Sequence, residues 1–153
     1  KSPMDALALQ QQIELAAAHC LQRGVRLTPI RQQVLSLVLQ AGTPIKAYDL
    51  LAKITPGTAS MSPPTVYCAL DFLVAIGLVH KLEGMNAFMA CTHHHTHHSA
   101  SAFVVCPQCK QAAELPIEPI TAFLGTMLTK ADFTQTPQHI EITTICQQCA
   151  HAH

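Results

Sequence analysis

Residues 62–91 read SPPTVYCALDFLVAIGLVHKLEGMNAFMAC, and the order of signals in this stretch decides the fold. Ser62 followed by Pro63 and Pro64 is a helix start, because proline's missing N–H costs nothing in the first turn and its fixed φ is already helical. Val66, Leu70, Leu73 and Val74 then recur at the spacing of one helical face, and Gly77 stops the run. Two short runs follow, Leu78 to Leu82 and Ala87 to Cys91, joined by Glu83-Gly84-Met85-Asn86; they read as a β-hairpin. Helices, a polar loop, a further helix and then a hairpin form a winged helix-turn-helix layout. In that layout the last helix enters the DNA major groove and the hairpin lies along the backbone.

The residues upstream supply the supporting helices. Leu9, Ile13, Ala16, Ala17 and Cys20 make an apolar stripe from about Met4 to Gln22, ended by Arg23-Gly24. Thr28-Pro29 pairs an N-cap hydroxyl with proline in the first turn. Ile30, Val34, Leu37 and Val38 continue that helix to Ala41-Gly42, and a third spans Lys46 to Ile54 with Leu50, Leu51 and Ile54 inward. Thr55 to Met61 is the loop before the decisive helix.

Downstream, Thr92 to Ser101 is a histidine-rich linker into a second unit. Strands are expected at Phe103 to Cys106, around Ala112 to Leu115 and from Gln138 to Ile145, with a helix from about Ile117 to Lys130. His139-Ile140-Glu141-Ile142 alternates with period two, as a half-buried strand does. The fold class is therefore α+β: an N-terminal winged helix over residues 1–91, a hinge at about 84–101, and a small α/β domain over 102–153. About 50 residues make a small core, so a metal ion and a partner subunit would help it stand.

Net charge is zero over 153 residues, yet the charges are segregated. From Leu21 to Leu82, Arg23, Arg26, Arg31, Lys46, Lys53 and Lys81 face only Asp49 and Asp71, a balance of +4. From Glu83 onward the balance is −3. One half thus suits a polyanion and the other does not. With no tryptophan and seven aromatic residues, the core must be aliphatic. No apolar run approaches the roughly 18–20 residues of a membrane span, and Lys1 to Gln10 lacks the apolar stretch of a secretory signal.

Seven cysteines and ten histidines stand out, and all but His19, Cys20 and Cys68 lie at or after His80. In a chain read as cytoplasmic, paired cysteines point to metal before disulfides. Cys106-Pro107-Gln108-Cys109 and Cys146-Gln147-Gln148-Cys149 are two CxxC knuckles. Two thiolates from each of two tight turns complete a closed tetrahedral four-sulfur zinc site. A redox CxxC normally opens a helix, whereas Cys106 ends a strand pattern. A second donor set comprises His80 and Cys91 on opposite arms of the hairpin, Glu114 beyond the first knuckle, and the cluster His93, His94, His95, His97 and His98. A mixed sulfur, nitrogen and oxygen set with one thiolate favours zinc, and an ion tying the two units together at the hinge would act as a switch by selecting one orientation.

Taken in order, several motifs resemble those of the ferric uptake regulator family, and specifically its zinc uptake regulator branch. They are Leu27-Thr28-Pro29-x-Arg31, Ala47-Tyr48-Asp49-Leu50-Leu51, Pro63-Pro64-Thr65-Val66-Tyr67-x-Ala69-Leu70-Asp71-Phe72-Leu73, Gly77-Leu78-Val79-His80-Lys81 and the two knuckles. The resemblance covers about residues 5 to 150. It implies a homodimer with a C-terminal dimerisation domain, two zinc ions per subunit, and zinc-dependent repression of zinc-uptake genes at a palindromic operator in double-stranded DNA. By position it puts structural zinc on Cys106, Cys109, Cys146 and Cys149, and regulatory zinc on His80, Cys91, Glu114 and one hinge histidine. The family's fourth ligand falls on Ser99 here, so the neighbouring His98 is taken, with His97 as the alternative. DNA contacts fall on Tyr67 and Thr65, with Arg31 and Tyr48 near phosphates. The family's helix reads Tyr-Arg-Ala-Leu where this chain has Tyr67-Cys68-Ala69-Leu70, so a long cation is missing from that face.

Three other readings compete. A zinc enzyme with a small-molecule substrate needs an open coordination position and a catalytic His/Glu signature; HExxH is absent, and the one HxE, His139-Ile140-Glu141, falls within the period-two strand pattern. A zinc-buffering protein would account for the histidines but not for the winged helix. A sibling regulator sensing iron, manganese, nickel or peroxide is separated from the zinc branch by Cys91.

Overall fold

Two side-chain caps set the helices of the first half. Asp5 accepts from the Ala8 N–H at 2.6 Å and opens α1 (Ala6–Gln22); the Thr28 hydroxyl accepts from the Arg31 N–H at 3.5 Å and opens α2 (Pro29–Ala41). Gly42 ends α2 in the left-handed region, φ 64°, where a side chain would be strained. The computed structural model describes residues 4–54, 61–91, 101–134 and 139–152. The chain divides into two compact units, Lys1–His94 and His95–His153.

In the first unit α3 (Ala47–Lys53) and α4 (Pro63–Ala75) follow, then an antiparallel hairpin of β1 (Val79–Leu82) and β2 (Ala87–Ala90). Helix α2 packs on both α1 and α4. The core is aliphatic, as the composition requires: Val34, Leu35, Leu50, Val66, Leu70, Leu73 and Leu78 are fully enclosed. Arg31 stacks its guanidinium 3.6 Å from the centre of the Phe72 ring and so braces α2 against α4. Ile45 exchanges both backbone hydrogen bonds with Phe88 (2.9 and 2.8 Å), adding a one-residue third rung to the wing. A single residue has no periodicity, so sequence pattern could not show it. This is the expected winged helix.

The second unit is a three-stranded sheet in the order β4-β3-β5, with β3 (Ser101–Val105), β4 (Ala112–Pro116) and β5 (His139–Thr143). Strand β3 runs antiparallel to β4 and parallel to β5, and α5 (Glu118–Lys130) makes the crossover that a parallel pair requires. As the central strand, β3 buries Ala102, Phe103 and Val105. The strand expected to reach Ile145 ends at Thr143. A one-turn helix, α6 (Gln147–Ala150), closes the unit. Among the described residues no helix is long and apolar enough to cross a membrane.

Candidate metal centres

The first knuckle grows from the end of the central strand. The Cys106 N–H donates to the Gln111 carbonyl and the Lys110 N–H donates to the Cys106 carbonyl, both at 2.9 Å, folding residues 107–109 into a tight turn. Closing the turn places Lys110 at φ 63°. The backbone N–H groups of Cys109, Cys146 and Gln108 are aimed at the Cys106 sulfur, that of Cys146 from 3.5 Å. These donors, led by Cys109, pull the Cys106 thiol down to about 6.

The second knuckle differs. Cys146 is the N-cap of α6 and its carbonyl accepts from the Ala150 N–H at 2.9 Å, so this CxxC does open a helical turn. The sequence ground against thiol redox chemistry therefore applies to Cys106 and not to Cys146. Geometry supplies a better one. All four sulfurs lie within 4.8 Å of one another, and the Cys109 and Cys146 sulfurs, from different knuckles, are 3.7 Å apart. A tetrahedral ion with Zn–S bonds of about 2.3 Å spaces its sulfurs about 3.8 Å apart, whereas a disulfide needs about 2.05 Å. None of the seven cysteines is joined in a disulfide. The Cys149 thiol is pushed up to about 12, first by its hydrogen bond with Cys146, then by burial. Four sulfurs this close repel one another once ionised, and a dication between them offsets that repulsion. The donor set fits zinc.

On the hairpin, Val79 pairs with Ala90 and His80 with Met89, and the Cys91 N–H donates to the Leu78 carbonyl at 3.0 Å. Cys91 therefore stands diagonally across from His80 on the same face, the cross-strand arrangement that brings side chains together. Their ligand atoms lie within 4.8 Å, and both residues are buried. Glu114 sits half-buried on β4 of the second unit, opposite Phe103. His97 and His98 lie outside the described residues.

Of the residues assigned to DNA, Tyr48 on α3 is 79% exposed and Tyr67 on α4 is 49% exposed. The Thr65 hydroxyl is engaged with that of Ser62 at 2.9 Å. Arg31 is half-buried, and besides stacking on Phe72 it donates to the Arg26 carbonyl at 2.9 Å. Two features escaped the sequence reading. The His19 imidazole meets the Ile76 carbonyl at 3.0 Å, tying the end of α1 to the end of α4. Ile120, Phe123 and Met127 form an exposed apolar stripe along α5 at 56, 67 and 53% exposure. Their three-and-four spacing was visible, but periodicity alone does not separate a core face from a surface one.

A family model described as the ferric uptake regulator family matches residues 22–144. The zinc uptake regulation protein of Escherichia coli K12 is 35% identical over 146 residues, 95% of this chain and 85% of the relative. Among solved structures, a zinc uptake regulator in complex with zinc and DNA is 35% identical with a TM-score of 0.85, over 94% of this chain and 96% of that one. The holo form of XcZur is 40% identical with a TM-score of 0.82, over 92% and 98% of the two chains.

Proposed function

The chain belongs to the ferric uptake regulator family, and on that footing we propose that it is a cytoplasmic, zinc-responsive transcriptional repressor of zinc-uptake genes. It works as a homodimer on a palindromic operator and carries two zinc ions per subunit. The reading is carried by the buried imidazole–thiol pair His80–Cys91 in a chain 35–40% identical to zinc uptake regulators.

Two roles for zinc follow from the donor sets. Cys106, Cys109, Cys146 and Cys149 hold a structural ion, which neutralises four crowded thiolates and clamps the ends of β3 and β5 together. A closed four-sulfur site leaves no position for substrate at that ion, which supports a structural role for it in a regulator. His80, Cys91, Glu114 and one hinge histidine, His98 or His97, hold the regulatory ion, whose single thiolate favours zinc over iron or manganese. Because these ligands come from both units, binding selects one relative orientation, and only a ligand with different affinity for two states can shift them. The exposed stripe Ile120, Phe123, Met127 supplies an apolar face for the second subunit. Helix α4 presents Tyr67 and Thr65 to the major groove, with Tyr48 and the remaining N–H groups of Arg31 beside phosphates.

The test is operator binding by the full chain in zinc-buffered solution. Affinity should rise steeply with free zinc while the structural ion stays in place. Equal affinity at all free-zinc levels that spare the structural ion would exclude the switch.

A further inference from the structure

The surface that α4 offers to a groove has an unusual composition. Burial of Val66, Ala69, Leu70 and Leu73 against the core turns Pro64, Tyr67, Cys68, Asp71 and Ala75 outward. The whole helix, Pro63–Ala75, contains no lysine, arginine, histidine, asparagine or glutamine. Those are the side chains that bond guanine O6 and N7 or adenine N6 and N7 in pairs. What remains near the helix start is a proline ring, a phenol, a thiol and, half-buried, a threonine whose hydroxyl is already engaged with Ser62. The one charge on this face, Asp71, repels phosphate. The cations lie elsewhere in the unit: Lys46 precedes α3 and Lys53 ends it, Arg23 and Arg26 follow α1, and Lys81 is on the wing, all exposed.

Affinity and base reading are thus supplied by different parts of this unit. Phosphate contacts position without specifying sequence, and the flanking cations can provide them. A face of ring, thiol and methylene groups discriminates bases by apolar contact, and the major groove offers one apolar landmark, the thymine 5-methyl group. Resting on the reading of this chain as an operator-binding repressor, we infer that Cys68 and Tyr67 are specificity-determining residues that recognise thymine methyl groups, and that α4 makes no paired hydrogen bonds to guanine.

The experiment uses the full-length, zinc-loaded protein. A randomised duplex pool is selected on it, and the enriched duplex is resynthesised with deoxyuridine for thymidine, or 7-deazaguanine for guanine, one position at a time. Losing a contacted methyl should weaken binding about fourfold per methyl, taken as one buried CH2 equivalent, at one or two positions in each half-site. No 7-deazaguanine position contacted by α4 should change binding by more than about twofold. Cys68→Arg should invert the pattern, making a guanine N7 necessary and a methyl dispensable, with a steeper salt dependence. Cys68 is exposed, so the variant's fold should survive, and tyrosine fluorescence unfolding checks this. Deoxyuridine without effect, together with loss of binding on 7-deazaguanine substitution in the unmodified protein, overturns the inference while leaving the repressor reading intact. If no duplex is enriched at any zinc level, the repressor reading fails and the inference fails with it.

Discussion

Replacing Cys109 with serine separates a metal-built fold from a packed one. Cys109 is exposed, whereas Cys106 is buried at 3% exposure. Cys109→Ser therefore opens no cavity, and an exposed polar exchange away from special features costs within about 0.5 kcal/mol. If the sulfur is a ligand, the cost is of another order. Structural zinc in a four-ligand site supplies about 10–16 kcal/mol of apparent binding free energy, and in a small unit that is folding free energy. Losing even a third of it, about 4 kcal/mol, approaches the whole stability of a small domain, about 5–15 kcal/mol. The chain provides its own internal control, because it has no tryptophan and its two tyrosines, Tyr48 and Tyr67, both lie in the first unit. Tyrosine fluorescence in a urea titration should therefore stay within about 0.5 kcal/mol of the parent. Amide exchange at Ala102, Phe103 and Val105 of β3 should lose most of its protection, and zinc content should fall. Protection in β3 unchanged in Cys109→Ser, with the ion gone, would refute the structural role.

Three further outcomes are expected. Cys91→Ser should keep the four-sulfur ion and the dimer but lose the zinc-linked gain in operator affinity, about 5–150-fold for a coupling of ordinary size; gel shifts at buffered zinc measure it, and an unchanged zinc response removes Cys91 from the switch. Phe123→Glu should dissociate the dimer, since a ring 67% exposed in the subunit is worth up to about 3 kcal/mol when covered, counted once on each side of a symmetric interface; sedimentation showing an intact nanomolar dimer would move the interface elsewhere. His19→Leu should destabilise the first unit by about 1 kcal/mol through loss of the bond to the Ile76 carbonyl, and His19→Gln, which keeps a donor, should recover much of it in the same tyrosine-monitored titration.

The parts legible in the sequence were those written in local chemistry. The start of α2 at Thr28-Pro29 and its end at Gly42 occur where cap and left-handed glycine place them, and the hairpin falls on either side of the turn 83–86. The knuckles were legible because ligand spacing is itself local. What escaped depends on partners distant in sequence. The parallel register of β3 with β5, the Ile45–Phe88 rung and the His19–Ile76 bond each join segments whose own patterns do not mention the other. Arg31 shows the limit of carrying a role by position. The resemblance places it near phosphate, and the structure adds contacts that position alone does not display, its stacking on Phe72 and its bond to the Arg26 carbonyl.

The two donor sets differ most in what holds their side chains. His80 and Cys91 project from a hairpin seated on a core of enclosed aliphatic residues, Leu78 and Val79 among them. That core owes nothing to an ion, so the pair is arranged whether or not zinc is present. The four sulfurs belong to a unit whose buried apolar side chains, among the described residues, are few: Ala102, Phe103, Val105, Cys106 and Ile117. An ion held there would complete the fold, and releasing it would mean unfolding β3 and β5. Within the proposed switch this asymmetry is what makes regulation workable. Zinc at the cysteines would be locked in by the cost of unfolding and would not follow the cell's supply. Zinc held by His80 and Cys91 would require no such unfolding, so its occupancy would track free zinc reversibly.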